Sequence, residues 1–580
     1  TFSATSVDQL PHQLVAHLMF GHQLLLPVPD IDRTSYFLVF GANPMASNGS
    51  LMTAPDFPGR LRELKARGGR MVVFDPRRTE TAKRYEHISI RPDSDCWLLL
   101  AMLKMIIDDG IADNAFMRDH VEGWDDLSER LAAFPLDGIA ERTGVALEAI
   151  RALTHDFASA ERAAVYSRTG ICRGTFPTLA NFLVDAINIS AGKFARRGGS
   201  VFGAFPFAGG GALYAGYEVV ETRLGAIPVI SRMWPSAIMV EDMLQPGPDQ
   251  IRALLLVAGN PMLSAPGAGT LAAAFESLEL FVSCDFYVTE SNRYADYILP
   301  GTTFLEKADL TVIGASHMPR PFMQYTQPVI PPVGEARHEV DIFAAIAERM
   351  GLGPIGPRPE FQPLDAFDEA LRAKDRIEED EDRRENLSIE ALKTMPHGKM
   401  LKAGLTYAGW QDYINTPSGR IRLWHPLIAQ QFERLCARTM GPSDEGLRLF
   451  SQRYLKSLNS WMHNAQSLVR SQTPVLLIHS SDAGSRGIAS GDPVSIASRH
   501  GAVTVTAQVS DDVMPGAVCY PHGWGHHGGW QTANAQSGVN INELLGDGYE
   551  VMDPVSGMTF IDGIPVEVSG TNKSTSSCQI

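Results

Sequence analysis

The chain has 580 residues, a net charge of −16, 44% hydrophobic and 20% charged residues, which is typical of a soluble globular protein with several domains. This acidic balance excludes a general nucleic-acid binder and a protein that binds anionic membranes through charge. No apolar run reaches the roughly 18–20 residues of a membrane span. The 6 cysteines are scattered, without a C-x-x-C pair, so local spacing predicts neither a zinc site nor an iron–sulfur cluster. Dispersed free cysteines favour a reducing, cytoplasmic setting.

The chain begins at Thr1 with "TFSATSVDQLPHQL", which is typical of the middle of a domain. It has no basic, apolar and small-residue signal pattern. We therefore expect that the natural N-terminus is missing.

The first predicted unit starts with the apolar run "YFLVF", Tyr36 to Phe40, which favours a strand buried on both faces. Gly41 allows a sharp turn and Asn43-Pro44 ends the strand. A helix is predicted over Pro58 to Gly69, and a second strand, "RMVVFD", ends at Asp75. The pattern is strand, turn, helix and strand, followed by a carboxylate.

The same pattern returns two hundred residues later. Leu254 to Ala258 is a predicted strand, Gly259-Asn260-Pro261 a turn, and Gly269 to Leu278 a helix. The next strand ends at Asp285. Such units build open α/β sheets, which bind ligands at the carboxyl ends of their strands, where a helix N-terminus favours phosphate. A single turn of this kind after a strand is common and does not by itself indicate a ligand. Two such units, each with an Asp at the same place, favour a pair of nucleotide-like ligands.

The predicted organisation is α/β, with two Rossmann-like open-sheet domains and a C-terminal β-barrel domain. We expect domains at residues 1–205, 206–435 and 440–570, and a disordered tail at 571–580. The last domain alternates apolar and polar residues between Gly, Asp and Pro turns, as in "GDPVSIASRHGAVTVTAQVSDDV". His526 and His527, in "PHGWGHHGG", are expected to be solvated loop residues.

The residues resemble the molybdopterin oxidoreductases of the dimethyl sulfoxide reductase class, which include formate dehydrogenases and nitrate reductases. The matching stretches follow the family order and cover nearly the whole chain: "FGANP", "FDPRRTETA", "IRPDSD", "SRTGI", "AGNPMLS", "SCDFYVTESNRYADYILPGTTFLEK", "NSWMHN" and "PHGWGHHGG". This family binds two molybdopterin guanine dinucleotides around one molybdenum or tungsten ion. The resemblance also implies that the barrel is of the double-psi type.

The resemblance implies a set of cofactor-binding residues for each dinucleotide. For the first they are Gly41, Asn43, Asp75, Arg77, Thr79 and Asp95; for the second they are Gly259, Asn260, Asp285, Thr289 and Glu290. Arg168 and Gly170, in "SRTGI", are further cofactor-binding candidates that are not assigned to either dinucleotide. Carboxylates suit the guanine N–H donors, and arginine suits pyrophosphate. Asn464, His522, Trp524 and Asn542 of the barrel are expected to face pterin or phosphate, and His522 is the candidate catalytic acid–base residue.

The sequence departs from the family pattern in two places. It lacks the N-terminal domain whose cysteines hold a [4Fe–4S] cluster, so we expect such a cluster only from a missing domain or a partner. The position of the family's metal-binding Cys falls near Phe2-Ser3, where there is no Cys. Ser3 is therefore the candidate metal ligand, and its alternative interpretation is an ordinary loop serine.

The predicted function is a two-electron oxidation or reduction, or an oxygen-atom transfer, on a small substrate of the formate or nitrate type. Electrons would pass to an iron–sulfur or other redox partner. The alternative is a non-catalytic, cofactor-free subunit or fragment that serves assembly. An ordinary nicotinamide dehydrogenase is disfavoured, because neither turn has the G-x-G-x-x-G spacing.

Overall fold

The computed structural model describes residues 1–204, 220–225, 227–229, 233–311, 314–353, 363–378, 380–402, 404–438, 446–529 and 531–571. Apart from Thr571, the tail predicted to be disordered lies outside these residues. Within them, no helix combines the length and the apolar character needed to cross a bilayer. The predicted domain boundaries stay a prediction.

The first unit is built on a four-stranded parallel sheet. Its strands are β2 (Tyr36–Phe40), β3 (Arg70–Phe74), β4 (Glu86–Ile88) and β6 (Ala163–Ser167), in the order β4-β3-β2-β6. Alternate residues of β2 enter different cores: Leu38 and Phe40 pack on one face, Phe37 and Val39 on the other. The sheet is therefore covered on both sides, as the continuous apolar run predicted.

Nine α-helices and three short strands complete the part of the chain described up to residue 204. They are α1 (Leu10–Phe20), α2 (Pro44–Ser47), α3 (Phe57–Ala66), α4 (Asp95–Asp108), α5 (Asn114–His120), α6 (Trp124–Ala132), α7 (Ile139–Thr143), α8 (Leu147–Ser159), α9 (Pro177–Ser190), β1 (Val28–Pro29), β5 (Val121–Glu122) and β7 (Ser200–Val201). The mostly apolar α4 is buried along almost its whole length against α8 and α9.

The second unit has a smaller parallel sheet. After β8 (Val220–Glu221), β9 (Pro228–Val229) and α10 (Met239–Leu244) come β10 (Ala253–Val257), α11 (Pro261–Ser264), α12 (Ala268–Glu276), β11 (Leu280–Cys284) and β12 (Tyr297–Leu299). The sheet order is β10-β11-β12, and all pairs are parallel. Phe281 and Phe275 lie in the core that packs α10 and α12 on one face. The predicted strand–turn–helix–strand repeat is thus present.

The connection to the barrel contains β13 (Asp309–Leu310), β14 (Phe322–Met323), β15 (Tyr325–Thr326), α13 (Glu339–Arg349), α14 (Pro363–Ile377), α15 (Ile389–Lys393), β16 (Lys399–Met400), β17 (Ile421–Arg422) and α16 (Pro426–Cys436). The sequence division assigns this stretch to the second α/β domain. Its last part nevertheless packs on the first unit: β17 pairs with β5, and Ile428 and Phe432 of α16 join the core around α9. The physical reason is the apolar face of α16, which is buried against that core.

The C-terminal part forms a closed six-stranded barrel, which confirms the predicted β-barrel. Its elements are β18 (Leu447–Gln452), α17 (Gln466–Val469), β19 (Leu476–Ile478), α18 (Ser480–Arg486), β20 (Pro493–Ala497), β21 (Ala502–Val509), β22 (Ala517–Pro521), α19 (Gln531–Asn534) and β23 (Ile564–Gly570). The strand order is β18-β22-β19-β21-β20-β23. Two pairs, β18/β22 and β19/β21, are parallel and the others antiparallel.

Candidate functional site

A cavity of about 700 Å³ lies between the carboxyl ends of the first sheet and the barrel. Barrel residues Ser451 and Tyr454 form one wall, and the turn after β2 forms the opposite wall. Every residue predicted for the first dinucleotide lines this cavity: Gly41, Asn43, Asp75, Arg77, Thr79 and Asp95. The two unassigned candidates, Arg168 and Gly170, line it as well. The structure therefore brings this predicted set together.

Two carboxyl groups at one end of the cavity, Asp75 and Asp95, are half-buried, and neither forms an ion pair with a cation of the described residues. Asp75 accepts a hydrogen bond from the backbone N–H of Arg77 at 2.9 Å, and burial raises its pKa to about 6. Burial raises the pKa of Asp95 to about 7. Bound N–H donors would favour the charged form of both groups, because a hydrogen bond to a carboxylate offsets its lost hydration. This end of the cavity suits a ligand edge rich in N–H groups, such as guanine.

Four arginines line the remainder of the cavity: Arg77, Arg168, Arg173 and Arg453. The Arg168 Nε donates to Ser50 Oγ at 2.8 Å, but its Nη1 is buried without a hydrogen-bond partner. A buried unpaired guanidinium nitrogen is costly, and phosphate oxygens would satisfy it. These cations therefore suit a pyrophosphate. The sequence motifs had singled out only Arg77 and Arg168, because Arg173 and Arg453 reach the cavity through tertiary folding.

Gly41 and Gly170 bring two backbone segments into close contact beside the cavity. A Cβ added to Gly41 would lie 2.7 Å from the Gly170 Cα, and one added to Gly170 would lie 2.5 Å from the Gly41 Cα. Gly41 also has a φ of +54°, in the left-handed region. Glycine is required at both positions, and the exposed backbone can approach a ligand closely.

An inner cavity of about 250 Å³ continues from the first and reaches the second unit. The two cavities share Asp8, Arg173, Arg453 and Asn459. Ser264, His522 and Asn542 line only the inner one. The two linings together extend from the first sheet, past the barrel, to Ser264 at the end of α11.

His522 presents a neutral ring to the inner cavity. Burial, reinforced by Arg453 and Arg173, lowers the pKa of this histidine to about 3. A neutral imidazole can accept a hydrogen bond but is not a source of an imidazolium proton at neutral pH. The lowered pKa therefore favours His522 as a hydrogen-bond acceptor over His522 as a proton donor.

The turn after β2 is held by a set of side-chain hydrogen bonds. Asn43 Nδ2 donates to Glu80 Oε2 at 2.5 Å, and Asn43 Oδ1 accepts from Thr81 Oγ1 at 2.7 Å. Thr81 Oγ1 in turn accepts from the backbone N–H of Met45 at 3.1 Å. Thr79 Oγ1 accepts from the N–H of Ala82 at 3.2 Å, so the residues predicted to contact the ligand also fix the turn.

The turn after β10 repeats these hydrogen bonds atom for atom. Asn260 Nδ2 donates to Glu290 Oε2 at 2.7 Å, and Asn260 Oδ1 accepts from Ser291 Oγ at 2.7 Å. Ser291 Oγ accepts from Met262 N–H at 3.0 Å, and Thr289 Oγ1 accepts from the N–H of Asn292 at 3.2 Å. We call Asn43, Glu80, Thr79 and Thr81 the turn clamp of the first unit. The turn clamp of the second unit consists of Asn260, Glu290, Thr289 and Ser291.

The carboxylate that follows β11 completes the correspondence. Asp285 Oδ1 accepts from the backbone N–H groups of Phe286 and Tyr287 at 2.7 and 3.2 Å. Burial raises the pKa of Asp285 to about 6, as it does for Asp75. Both units thus place a poorly compensated carboxyl group at the end of their second strand, half-buried in the first unit and buried in the second.

The left-handed position of the second turn differs from the sequence expectation. Ala258 has a φ of +47°, whereas Gly259 does not lie in the left-handed region. Ala258 N–H donates to Cys284 O at 2.9 Å, as Gly41 N–H donates to Phe74 O at 3.2 Å. Ala258 is therefore the counterpart of Gly41, and its Cβ adds on the order of 1 kcal/mol of backbone strain at that position.

Two histidines for which the sequence indicated no binding role extend the second turn clamp into the barrel. His526 Nδ1 lies 3.2 Å from Glu290 Oε1, and His526 Nε2 lies 2.8 Å from His463 Nδ1. His526 is 4% exposed and His463 is fully buried, so the expectation of a solvated His526 is wrong. No spacing in the sequence indicates this contact, because it joins loops of two separate folding units. His527 is exposed, as predicted.

The remaining predicted residues occupy different settings. Trp524 is buried beside His463, with ring centroids 4.2 Å apart. Asn542 Nδ2 donates to Leu263 O at 2.8 Å, and Asn464 Oδ1 accepts from the N–H of Ala533 at 2.8 Å. Asn542 lines the inner cavity and ties the barrel to the second turn, whereas the side-chain oxygen of Asn464 holds a barrel loop.

Ser3 caps a short 3₁₀ helix. Its Oγ accepts from the N–H of Thr5 at 3.2 Å and donates to Thr5 Oγ1 at 2.9 Å. The neighbouring Ala4 and Thr5 line the inner cavity. Over the described ranges, no group of three or more His, Cys, Asp or Glu side chains is arranged to hold a metal ion. The metal-ligand role of Ser3 stays a prediction.

Two family models match this chain. One, described as "Molybdopterin oxidoreductase", matches residues 3–349, and the other, "Molydopterin dinucleotide binding domain", matches residues 447–564. The first covers both α/β units and the second covers most of the barrel.

Curated relatives are similar over much of the chain. The probable oxidoreductase YyaE of Bacillus subtilis (strain 168) is 26% identical over 71% of this chain and 57% of its own length. The dimethyl sulfoxide/trimethylamine N-oxide reductase of Cereibacter sphaeroides is 27% identical over 89% of this chain and 69% of its own length. The thiosulfate reductase molybdopterin-containing subunit PhsA of Salmonella typhimurium (strain LT2) is 25% identical over 96% of this chain and 76% of its own length. The chain therefore spans from just over half to about three quarters of these proteins.

A solved structure supports the fold. The acetylene hydratase from Pelobacter acetylenicus superposes with a TM-score of 0.77 at 21% sequence identity. The match covers 98% of this chain and 82% of that chain. It shows a shared architecture for the two α/β units and the barrel.

Proposed function

The chain belongs to the molybdopterin oxidoreductase family, and we propose that it holds two molybdopterin guanine dinucleotides, one in the cavity beside the first sheet and one at the carboxyl ends of the second sheet. The single observation that carries the proposal is the repeated turn clamp, followed in each unit by a carboxyl group at the end of the next strand. A second identical set of hydrogen bonds is expected if the chain binds the same kind of ligand twice. In this proposal the two α/β units are Rossmann-like and the mixed barrel is of the double-psi type.

The residues of the cavity fit such a cofactor. Asp75 and Asp95 suit the N–H donors of guanine, and Arg77 and Arg168 suit the pyrophosphate. Gly41 leaves backbone accessible beside them. In the second unit Asp285 has the place of Asp75, and Thr289 and Asn260 hold the turn as their counterparts do.

When bound, the cofactor supplies the redox-active molybdenum or tungsten ion for a two-electron reaction or an oxygen-atom transfer. The residues of the chain bind and orient it, and His522 offers a neutral acceptor to the inner cavity. The substrate proposed is a small molecule of the formate or nitrate type. We propose that an iron–sulfur cluster comes from a redox partner or a further domain.

The test is elemental analysis of the purified chain, combined with release of GMP. We expect one molybdenum or tungsten and about two GMP per chain, because each repeated unit holds one dinucleotide. Asp75→Asn and Asp285→Asn should each lower the bound GMP, since an amide presents an N–H group to the guanine N–H donors. The control is Asp119→Asn, which changes an exposed carboxylate on the surface.

Wild-type protein that contains neither metal nor GMP after expression in a cofactor-producing host would contradict the proposal. It would favour the alternative of a cofactor-free subunit for assembly. Equal GMP in the wild type and both carboxylate variants would contradict the assignment of Asp75 and Asp285.

A further inference from the structure

The short 3₁₀ helix that Ser3 caps, Ala4–Val7, joins the two α/β units. The backbone N–H of Ser236, in the second unit, donates to Ser6 Oγ at 2.9 Å. At the other end of the helix, Asp8 Oδ1 accepts from Thr169 Oγ1 at 3.1 Å, in the turn that follows β6 of the first unit. The helix is therefore fixed between the two parts that are proposed to hold one dinucleotide each.

Asp8, the C-terminal cap of this helix, lies where the two cavities meet. The residues common to both linings are Asp8, Arg173, Arg453 and Asn459. The guanidinium groups have no lone pair for a metal ion, and Asn459 Oδ1 already accepts from Arg453 Nη1 at 2.9 Å. The side chain of Asp8 is 32% exposed. Of these four residues, only Asp8 therefore presents an accessible anionic oxygen to both cavities.

The surroundings of Asp8 keep its carboxyl group ionised. Burial opposes ionisation, but Arg168 and Arg453, with the hydrogen bond from Thr169, outweigh it and hold the pKa of Asp8 below its usual range. Arg168 Nη2 lies 3.5 Å from Asp8 Oδ2. Each carboxylate oxygen has two lone pairs, so Oδ2 keeps the capacity to bind a further group. A deprotonated side chain is also the form in which a residue binds a metal ion.

Ser3 occupies a different position, at the start of the same helix. It is not among the described residues that line either cavity. Its Oγ accepts from the N–H of Thr5 and donates to Thr5 Oγ1, so it fixes the first turn. The backbone N–H of Asp8 donates to Thr5 O at 3.1 Å and closes that turn at the other end. The sequence prediction therefore selected the correct helix, whereas the residue that reaches the cavities is Asp8.

We propose that Asp8, in place of Ser3, is the side chain that binds the molybdenum or tungsten ion of the cofactor. This inference rests on the proposed function, in which the ion lies between the two dinucleotides. The neighbouring cation fits an anionic cofactor at this place: Arg173 is 8% exposed, and its Nε has no hydrogen-bond partner among the described residues. Ser3 and Ser6 are then positioning residues that hold the helix.

The alternative role for Asp8 is that of a counter-ion. In that case its carboxylate only balances the charge of Arg168 and the neighbouring arginines, and residue 8 does not touch the metal ion. The two roles differ in what a new side chain at this position would bring to the ion. A sulfur-containing side chain at residue 8 would become a neighbour of the ion only if Asp8 is the ligand.

The first test is X-ray absorption at the metal edge of the cofactor-loaded variants Asp8→Cys and Ser3→Cys. We expect Asp8→Cys to gain one sulfur neighbour and to lose one oxygen neighbour relative to the wild type, because a thiolate then takes the place of the carboxylate. Ser3→Cys should keep the wild-type neighbours. A loaded Asp8→Cys variant without an additional sulfur, or a gain of sulfur in Ser3→Cys, would overturn the proposal.

A second measurement uses the wild-type side chain, so it does not depend on how well a cysteine variant loads. Protein labelled with ¹³C at the aspartate side-chain carboxyl is reduced by one electron, and the coupling of ¹³C to the paramagnetic metal is measured by electron–nuclear double resonance. We expect a coupling that is lost in Asp8→Glu and kept in the surface control Asp119→Glu. Wild-type protein without a ¹³C coupling contradicts the role of Asp8.

The metal and GMP assays keep the two proposals distinguishable. Wild-type protein with neither metal nor GMP contradicts the proposed function, and with it the role of Asp8. Wild-type protein with one metal ion and about two GMP, but without a ¹³C coupling from aspartate, contradicts the role of Asp8 alone.

Discussion

At the scale of single residues, the site is defined by groups that the fold buries without full compensation. Asp75 and Asp95 have raised pKa values, and Arg168 Nη1 and Trp524 Nε1 lack partners. Each of these groups makes the cofactor-free chain less stable than complete pairing would. A ligand that satisfies them recovers that free energy on binding, which is how a preformed polar cavity gains affinity.

The raised pKa values make the stability of the cofactor-free chain depend on pH. Asp75 and Asp95 keep their protons in the folded chain up to about pH 6 and 7, whereas both release them near 3.8 when unfolded. Their contribution is therefore complete below the unfolded pKa and is lost as the pH rises through the folded pKa. We expect this contribution to the free energy of unfolding to fall between about pH 4 and 7, whereas His12 and His522, whose pKa values burial lowers to about 3, contribute in the opposite direction.

The variant Asp75→Asn removes one of these titrations. Between about pH 4 and 7, the change in the free energy of unfolding should be more positive in the variant than in the wild type, by on the order of 1–3 kcal/mol. Urea unfolding of cofactor-free protein at several pH values measures it, and Asp119→Asn serves as the exposed control. The same pH dependence in the wild type and the Asp75 variant would show that Asp75 does not titrate as described.

At the same scale, sequence reasoning found the residues whose motifs are local. Asp75 and Asp285 follow apolar strand runs, so their place at the sheet edge follows from the strands alone. His463 and Arg453 could not be found this way. Their environment arises where barrel loops meet the α/β units, so even the motif "NSWMHN" around His463 does not indicate its contact with His526.

At the scale of elements, the repeated turn and its alignment were both predictable. The apolar runs and Asn-Pro pairs indicated both strands and both helices. Aligning the two Asn-Pro pairs places Ala258 opposite Gly41, and the hydrogen bonds of their N–H groups to the next strand agree with this alignment. The left-handed φ of Ala258 appears only in three dimensions. The packing of α16 on the first unit could not be predicted, because an amphipathic helix does not encode which core it covers.

The two turn clamps should differ in their sensitivity to the same change. Asn260→Ala leaves the buried Glu290 short of a donor, and we expect a loss of about 2–3 kcal/mol of unfolding free energy. Asn43→Ala affects Glu80, whose side chain is 60% exposed and regains water, so about 1 kcal/mol is expected. Urea unfolding of the cofactor-free variants measures both values. A loss for Asn43→Ala equal to or larger than that for Asn260→Ala would contradict the role assigned to burial.

At the scale of the whole molecule, the barrel closes over both α/β units. It contacts the first unit through an ion pair in which Lys83 Nζ lies 2.6 Å from Asp512 Oδ2. It contacts the second through the side-chain amides of Asn540 and Asn542, which donate to Met262 O and Leu263 O. The cavity lies where these surfaces meet. Binding along it therefore depends on the relative positions of all three parts.

The ion pair between Arg173 and Asp562 is the most enclosed link of this kind to the first unit. Arg173 Nη2 lies 2.8 Å from Asp562 Oδ2, and both side chains are 10% exposed. Arg173 Nη1 also donates to Ser451 Oγ at 3.0 Å. Arg173→Gln leaves a buried carboxylate without its cation, so we expect about 3–5 kcal/mol of lost stability in the cofactor-free chain.

The matched control for this change is Arg252→Gln. It breaks an ion pair with Glu279 in which both side chains are 67% exposed, and exposed pairs contribute about 0–1 kcal/mol. Calorimetry and urea unfolding of the cofactor-free proteins compare the two variants directly. If Arg173 fixes the barrel to the first unit, the Arg173→Gln variant should also unfold in two transitions, one for the barrel and one for the sheet. The reason is that the substitution weakens the coupling between these two parts. A stability loss for Arg173→Gln no larger than that for Arg252→Gln would place the coupling elsewhere in the interface.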